Sequence, residues 1–276
     1  GVNSAIITIS GMISKDTFTQ SVMNPIINSK IVGNTSKEKY EYIRDNVVIA
    51  CDQVQISTFE EAFNAIMSGF ALFTMDGCDC MISLGVQGFP FRSVSEPSSE
   101  IMQRGSREGF VEPLMINTTL IRRRLKSPNL KFETMQIGSV SKTSICLCYL
   151  VDKVSSSILE KTKSRLKNID IEMVMDSGYI LPYLDDQGDF SLFSGVGMTE
   201  RPDTVCGKIS EGRIAVLVDG TPNALIVPYL FVEYFQHLDD YSMHPYFATF
   251  TRWLKYFAFF LSTLLPGLYV GISTFN

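Results

Sequence analysis

A short unit occurs twice in this chain, and it constrains the fold more than any other feature of the sequence. The stretch from 63 to 83 aligns without gaps on the stretch from 206 to 226. Each copy predicts a helix that ends at a glycine, followed by a β-hairpin around an Asp-Gly turn. One offset relates all the turn residues, which indicates an internal duplication, although unrelated hairpins also favour Asp-Gly. The paired positions are Gly69 with Gly212, Asp76 with Asp219 and Gly77 with Gly220.

The patterns around the two copies predict an α/β (α+β) fold, with two related small α/β subdomains that have mixed sheets. Helices are predicted over 15–27, 57–67, 155–169 and 203–211, and strands over 131–137 and 144–151. The helix at 57–67 begins with capping-box pairs, and its apolar face, which includes Phe59, is expected in the core. Residues 37–51 fit a helix or a strand, 89–97 are expected to be extended, and 185–197 to form a loop. The predicted domains are 1–120, 121–241 and 242–276.

The C-terminal stretch Tyr256–Phe275 contains no charged residue and no histidine. About 20 such residues suffice to cross a bilayer core of roughly 30 Å as a helix. A buried core helix is the alternative, but Pro266-Gly267 in the middle of the run is better tolerated in a membrane. We therefore expect a transmembrane helix that follows a juxtamembrane segment, in the N-terminal part of a longer membrane protein. Arg252 and Lys255 precede it, which predicts that the preceding residues are cytoplasmic.

Composition limits the function classes. Of the 276 residues, 24 are Lys or Arg and 29 are Asp or Glu, so the net charge is −5. This balance gives no global field for nucleic acid, and we expect no nucleic-acid partner. The six cysteines are too few for a secreted, disulfide-rich scaffold of this length, which favours a reducing compartment.

Arginines are concentrated between residues 104 and 124, with two glutamates among them. Such a cluster can bind an anion or a phosphate headgroup, or form ion pairs across a subunit or domain junction, and a paired or solvated role is favoured. Two further candidates belong to the stretch Thr199–Asp203, and one to the second hairpin turn. The interface or ligand candidates are therefore Arg104, Arg107, Glu108, Arg122, Arg123, Arg124, Glu200, Arg201 and Asp219.

Residues that often bind metals occur in two places, but neither predicts a metal site. The pairs Cys78/Cys80 and Cys146/Cys148 are spaced by two, whereas structural zinc sites use wider Cys-x2–4-Cys spacing. The group His237, Asp239, Asp240 and His244 lies among aromatic residues typical of a membrane approach. No catalytic motif for acyl, phosphoryl, zinc or dinucleotide chemistry is present, so we predict no metal, no cofactor and no catalytic residue.

Several motifs, in order along the chain, carry a family resemblance. They are FVEPLMINTTLIRRRLKSPNL, TERPD, EGRIAVLVDGTPNALIVP, QHLDDY and the hydrophobic stretch that follows. Together they closely resemble the A subunit of GerA-type spore germination receptors, from about Gly69 to the C-terminus, while residues 1–56 add little. Ser106 stands where the family usually has proline, and Asn223 stands where an apolar residue is commoner. The related SpoVAF proteins share the pattern and are the alternative.

The resemblance implies a subunit of a nutrient germinant receptor in the inner membrane of the spore, with its soluble domain on the core side. It implies B and C subunits as partners and ion release during germination. We also expect contacts with other A subunits in a homo-oligomer. We expect the domain to couple germinant sensing to assembly and gating of the membrane complex. The alternative is direct binding of a small-molecule nutrient between the duplicated subdomains. The resemblance supplies no catalytic residues.

Overall fold

The computed structural model describes residues 2–48, 52–88, 100, 106–185, 191, 193–236 and 244–275. Within these ranges the chain forms two β-sheets with their helices and one long C-terminal helix. We call residues 2–88 the first unit and residues 106–236 the second unit. The predicted extended segment at 89–97 lies outside the described residues, as do residues 186–190 and 192 of the predicted loop.

The first unit has a four-stranded antiparallel sheet with the order β1-β3-β4-β2. Helical structure covers residues 15–28 and 36–47, with π-helical turns at Thr19–Met23 and Ile43–Val47. This confirms the helix predicted over 15–27 and resolves the described part of 37–51 as mainly helical. The elements are β1 (Ser4–Ile7), α1 (Lys15–Phe18), α2 (Asn24–Asn28), α3 (Ser36–Tyr42), β2 (Gln53–Ile56), α4 (Phe59–Met67), β3 (Ala71–Met75) and β4 (Met81–Leu84).

The second unit has a five-stranded antiparallel sheet with the order β5-β6-β8-β9-β7. The predicted strands at 131–137 and 144–151 and the helix at 155–169 are confirmed within two residues at each end, and Pro202 opens α8 as predicted. The elements are α5 (Leu114–Arg124), β5 (Leu130–Ile137), β6 (Thr143–Leu150), α6 (Ser156–Lys167), α7 (Leu181–Leu184), β7 (Gly197–Thr199), α8 (Pro202–Ser210), β8 (Ile214–Val218) and β9 (Ala224–Val227).

The duplication seen in the sequence is a duplication of structure. Adding 143 to the bounds of α4, β3 and β4 gives the bounds of α8, β8 and β9 at every residue. The turn glycines also match, with φ of 88° at Gly69 and 89° at Gly212, and 84° at Gly77 and 86° at Gly220. The strand pairs match as well: Ile56 pairs with Met81 as Thr199 pairs with Ala224. The order β6-β8-β9-β7 therefore repeats β1-β3-β4-β2, and β5 is an addition at the edge.

The core of the second unit lies on both faces of its sheet. Along β6, Ile145, Leu147 and Tyr149 pack on the face that α6 and α7 cover. The alternate residues Cys146, Cys148 and Leu150 pack on the face that α5 and α8 cover. Since successive side chains of a strand point to opposite faces, a strand buried on both faces reads as a continuous apolar run.

Three details of the prediction need adjustment. The α+β class is confirmed, but every strand pair described is antiparallel, so the expected mixed sheets are wrong; short hairpins join β3 to β4, β5 to β6 and β8 to β9. The predicted boundary between 120 and 121 divides α5, although Leu120 and Ile121 lie in one core cluster of the second unit. Phe59 is 88% exposed, because Thr58 is the N-cap and Phe59 lies in the first turn of α4, away from the sheet.

The C-terminal helix α9 (Pro245–Phe275) contains 31 residues, with Pro266 inside it. At 1.5 Å per residue its length is about 46 Å, more than the roughly 30 Å of a bilayer core. It is long and apolar enough to cross a membrane, and none of its most apolar stretch is buried against the rest of the chain. Exposed leucine and phenylalanine side chains along such a helix are those expected of a lipid-facing segment.

Candidate functional site

The structure divides the predicted site residues among separate places. Glu108, Arg123 and Arg124 meet in one ion-pair group, Arg201 lies in a second, and Asp219 caps a helix. Arg122 faces a groove, and Arg107 is exposed. Arg104 lies outside the described residues. The cluster in the sequence is therefore not one site, and its interface role stays a prediction.

Glu108 is held between two arginines of the last turn of α5. One of its carboxylate oxygens accepts from Arg123 Nη2, and the other accepts from Arg124 Nη2 at 2.7 Å. Arg124 Nη2 also donates to Ser106 Oγ at 2.6 Å. Burial acts to raise the pKa of Glu108, but the hydrogen bonds and charges of Arg123 and Arg124 outweigh burial and lower it. These contacts fasten the stretch before α5 to the helix itself.

Arg201 lies immediately before α8 and is buried, with only 2% of its surface exposed. Its Nη2 lies 2.6 Å from Asp203 Oδ2 and 2.7 Å from the carbonyl oxygen of Ser106. Its Nη1 donates to the carbonyl oxygen of Glu100 at 3.2 Å. The Glu100 carboxylate accepts from Thr199 Oγ1 at 2.6 Å and from the Glu200 amide at 3.2 Å. With its donors already used inside the fold, Arg201 is a structural residue.

Asp219 lies in the Asp-Gly turn of the second hairpin and caps α5. Its Oδ1 accepts from the amide of Leu114, the first residue of that helix, at 2.9 Å. A carboxylate at this place satisfies one of the free N–H groups of the helix and complements its dipole. The same turn joins β8 to β6, since the Asp219 amide donates to Ser144 O at 2.9 Å.

A residue that the sequence analysis missed, Glu233, is at the centre of a further ion-pair group. Its Oε1 lies 2.7 Å from Lys208 Nζ on α8 and 3.3 Å from Arg213 Nη2 at the start of β8. Its Oε2 accepts from the amide of Leu230 at 2.7 Å, and only 6% of the residue is exposed. The signal was one carboxylate inside the apolar run 230–235, because a buried charge requires partners.

The ion-pair group around Glu233 changes the pKa of Lys208. Burial acts to lower its pKa, but the hydrogen bond to Glu233 and the charges of Glu233 and Glu211 outweigh burial and raise it. Arg213 also donates from Nη1 to the carbonyl oxygen of Pro228 at 3.0 Å. Two cations from the repeated α8–β8 turn therefore hold the segment that follows β9.

That segment continues into an aromatic cluster at the base of α9. Phe259 of α9 lies 5.4 Å from Phe235 and 5.9 Å from Phe231, measured between ring centroids. Tyr256 lies 4.8 Å from Phe235, and Lys255 Nζ donates to the Phe235 carbonyl oxygen at 3.3 Å. Aromatic pairs in this range contribute about 0.5–1.5 kcal/mol each beyond the area they bury. The second unit thus reaches the long helix through Glu233 and Phe235, and we call residues 229–236 the connector.

A pocket of about 280 Å³ lies between α8 and the connector. Its lining combines apolar side chains with the polar groups just described, among them Lys208, Glu211, Tyr229 and Glu233. Burial and the nearby Glu233 carboxylate raise the pKa of Tyr229 to about 12, so its hydroxyl stays protonated. Lys208 and Glu233 are paired with each other in the lining of this pocket, so their charges are already compensated within the fold.

The cysteines do not form a metal site in the described part of the chain. No group of three or more His, Cys, Asp or Glu side chains there is arranged to hold a metal ion. Cys146 and Cys148 lie in the core under α5, with their sulfur atoms 3.9 Å apart. Residues 237, 239 and 240 of the other candidate group lie outside the described residues.

Comparison with known proteins identifies the family. The family described as Bacillus/Clostridium GerA spore germination protein matches residues 1–276. The chain belongs to the GerA family. This confirms the resemblance found in the sequence from about Gly69 onwards and extends it to the residues before Gly69, of which 1–56 contribute little to the motifs.

Individual relatives agree with the GerA assignment. Spore germination protein KA of Bacillus subtilis is 38% identical over 275 residues, which cover 100% of this chain and 50% of that protein. Stage V sporulation protein AF of the same organism is 29% identical over 223 residues, 80% of this chain and 45% of that protein. This GerA chain thus spans about half the length of the curated relatives it matches.

A solved structure has the same fold. It is the N-terminal domain of the A subunit of the Bacillus megaterium spore germinant receptor GerK3, with a TM-score of 0.61 and 28% identity over 84% of each chain. For this member of the GerA family, the connector between the second unit and α9 is the candidate functional site. Its contacts are the ion pairs of Glu233 with Lys208 and Arg213 and the ring contacts of Phe235 with Tyr256 and Phe259.

Proposed function

We propose that the chain is the N-terminal part of a nutrient germinant receptor A subunit, in which the second unit transmits a signal to α9. The observation that carries the proposal is the connector: Glu233 is paired with Lys208 and Arg213, and the ring of Phe235 contacts Tyr256 in a tilted and Phe259 in an edge-to-face arrangement. A helix attached through such contacts moves with the domain, because a buried ion pair resists separation. We assign no catalytic step to the chain.

The proposal includes a membrane, an orientation and partners, and membership of the GerA family supports them. The receptor subunit is placed in the inner spore membrane, with both units on the core side, next to Arg252 and Lys255. Its partners are the B and C subunits and further copies of the A subunit, and its output is assembly and gating that release ions. The family match and the A-subunit structure support this role. The alternative is that the chain is an accessory membrane protein, similar to stage V sporulation protein AF. That relative is 29% identical to this chain, whereas spore germination protein KA is 38% identical.

The coupling role is tested in spores that carry the complete protein. Glu233→Gln keeps the shape of the side chain but removes the charge that Lys208 and Arg213 share. We expect normal amounts of receptor in the spore membrane and a germination rate lowered at least several-fold at saturating nutrient. The matched control is Glu211→Gln, which removes the exposed second partner of Lys208. Equal germination of the two variants, with equal receptor amounts, would overturn the coupling role.

A second candidate function is direct binding of a small molecule. The observation in its favour is a groove over β5 and β6 that residues of both units line. Ligand sites often lie at such junctions. This role is independent of the connector, since β8 separates the groove from β9 and the segment after it.

A further inference from the structure

The groove between α5 and the edge of the second sheet has a volume of about 500 Å³. We call it the α5–β5 groove. One face of α5 forms one wall, and β5 and β6 form its floor. Ser10 of the first unit closes one side, where the Gly11 turn meets α5: a Cβ on Gly11 would lie 2.5 Å from Thr119 Oγ1. The lining residues are Ser10, Leu114, Met115, Thr118, Thr119, Arg122, Phe132, Thr134, Ser144, Cys146 and Asp219.

Arg122 is the cation of this groove. Its guanidinium lies over the ring of Phe132, 4.5 Å from the centroid, and the residue is half-buried. Its neighbours Arg123 and Arg124 both pair with Glu108, whereas no carboxylate of the described residues lies within ion-pair distance of Arg122. Burial lowers the pKa of Arg122, as expected for a cation removed from water without a counter-charge.

Hydroxyl groups on the floor of the groove can complete an anion site. Ser144 and Thr134 lie on β6 and β5, and each side chain carries a hydroxyl that can donate a hydrogen bond. The charge of Arg122 also acts on Cys146 in the same groove. The pKa of Cys146 is lowered chiefly by its hydrogen bond with Cys148, and burial opposes this effect. The hydrogen bond with Thr134 and the charge of Arg122 lower the pKa further. A half-buried guanidinium above an aromatic ring, with hydroxyl groups beside it, is suited to a planar or tetrahedral oxyanion.

We propose that the α5–β5 groove binds a small oxyanion, a carboxylate or a phosphate, through Arg122, with Ser144 and Thr134 as additional donors. The volume of the groove admits a molecule of a few non-hydrogen atoms beyond the anionic group itself. Met115, Leu114 and Phe132 supply an apolar surface for that remainder. Since Ser10 and the Gly11 turn belong to the first unit, an occupied groove would contact both units at their junction.

The inference deepens the small-molecule role and does not depend on the coupling role. The groove lies over β5 and β6, while the connector follows β9, two strand spacings from β6, or about 10 Å. Glu233→Gln tests the connector without touching the groove, and Arg122→Gln tests the groove without touching the connector. The two proposals can therefore fail separately.

The experiment measures thermal stabilisation of the 276-residue chain in dodecyl maltoside. Sodium acetate, inorganic phosphate and soluble dihexanoyl phosphatidylglycerol are each titrated at constant ionic strength, with chloride as the balancing salt. These probes distinguish a carboxylate, a free phosphate and the phosphate of a lipid headgroup. We expect a saturable rise in the unfolding temperature with at least one probe, because a ligand that binds only the folded state stabilises it.

Variants assign the response to the groove. Arg122→Gln should raise the half-saturating concentration at least tenfold, while Arg123→Gln, one residue along the same helix, should leave it within twofold. Should Arg122→Gln fail to fold, the pair Ser144→Ala and Thr134→Val tests the same site with its charge intact and should weaken binding several-fold. A response to none of the probes beyond that to chloride, or an equal response in wild type and Arg122→Gln, would overturn the proposal.

Discussion

Lys208 Nζ on α8 lies 2.7 Å from Glu233 Oε1 in the connector, and this contact exists in only one of the two repeated units. The offset of 143 places Ala65 and Phe70 of the first unit at the positions that Lys208 and Arg213 occupy in the second. Both pairs of positions lie at the same helix-to-strand turn. Only the second copy therefore has cations at these two positions, and both of them pair with Glu233 of the connector. The two repeated units differ at the turn through which the second one contacts the connector.

Glu233→Gln should destabilise the second unit. Removing one partner of a buried ion pair leaves the remaining charges uncompensated, which costs about 3 kcal/mol. The free energy of unfolding, measured with urea in detergent by circular dichroism, should fall by about that amount. Glu211→Gln removes an exposed partner of the same lysine and should change it by less than about 1 kcal/mol. Similar losses in both variants would show that the buried carboxylate has no special role.

Gly212→Ala should destabilise the chain, whereas Gly207→Ala should not. Gly212 has a φ of 89°, and a Cβ there would lie 2.6 Å from the carbonyl oxygen of Lys153. The left-handed backbone alone costs a residue with a side chain about 1–2 kcal/mol. Gly207 lies inside α8, and a Cβ there meets nothing within 4 Å, so alanine should stabilise by up to about 1 kcal/mol. The free energy of unfolding of both variants is measured with urea. A Gly212→Ala variant as stable as the wild type would contradict the left-handed turn at Gly212.

The duplication shows how far the sequence predicts this fold. Two Asp-Gly turns and two terminal glycines at one offset predict both helix-hairpin units, because these residues adopt a backbone conformation that others avoid. The sequence did not predict that β1 and β6 pair equivalently with β3 and β8, since those strands are distant in the chain and have different residues. It also failed at Phe59, where an apolar residue at the right helical spacing lies outside the core.

The candidate site was less predictable than the fold. The arginine cluster drew attention because its members are close in the sequence, but α5 directs Arg122 towards the groove and Arg123 and Arg124 towards Glu108. Consecutive helical residues point about 100° apart, so adjacent charges need not share a partner. The sequence did not reveal Glu233 as a site residue, because its partners Lys208 and Arg213 are 25 and 20 residues away and lie on other elements.

Glu108 should make stability depend on pH below the neutral range. Folding lowers its pKa from an ordinary value of 4.5, so its contribution is present above that value and is lost as the pH falls through the lower folded value. At pH 7 we expect Glu108→Gln to lower the free energy of unfolding by about 1 kcal/mol. The loss is small for two ion pairs because the carboxylate is 32% exposed and therefore screened by water. The difference between wild type and variant, followed by unfolding from pH 7 to pH 3, should vanish at the acid end. Glu112→Gln, which removes an exposed carboxylate just before α5, is the matched control for the loss of one negative charge. A difference for Glu108→Gln that stays constant with pH would refute the assignment.

Leu264→Arg should weaken membrane insertion of α9. Leu264 lies near the middle of the uncharged stretch and is exposed on the helix surface, where it would face lipid. An arginine at the centre of a membrane helix costs about 2.5–3.5 kcal/mol. Tyr246→Arg, at an exposed position of the same helix before the uncharged stretch, should cost little, because it would lie in water. The fraction of chain that resists alkaline carbonate extraction from bacterial membranes measures insertion. Equal fractions for both variants would mean that the exposed face of α9 is covered by protein rather than lipid.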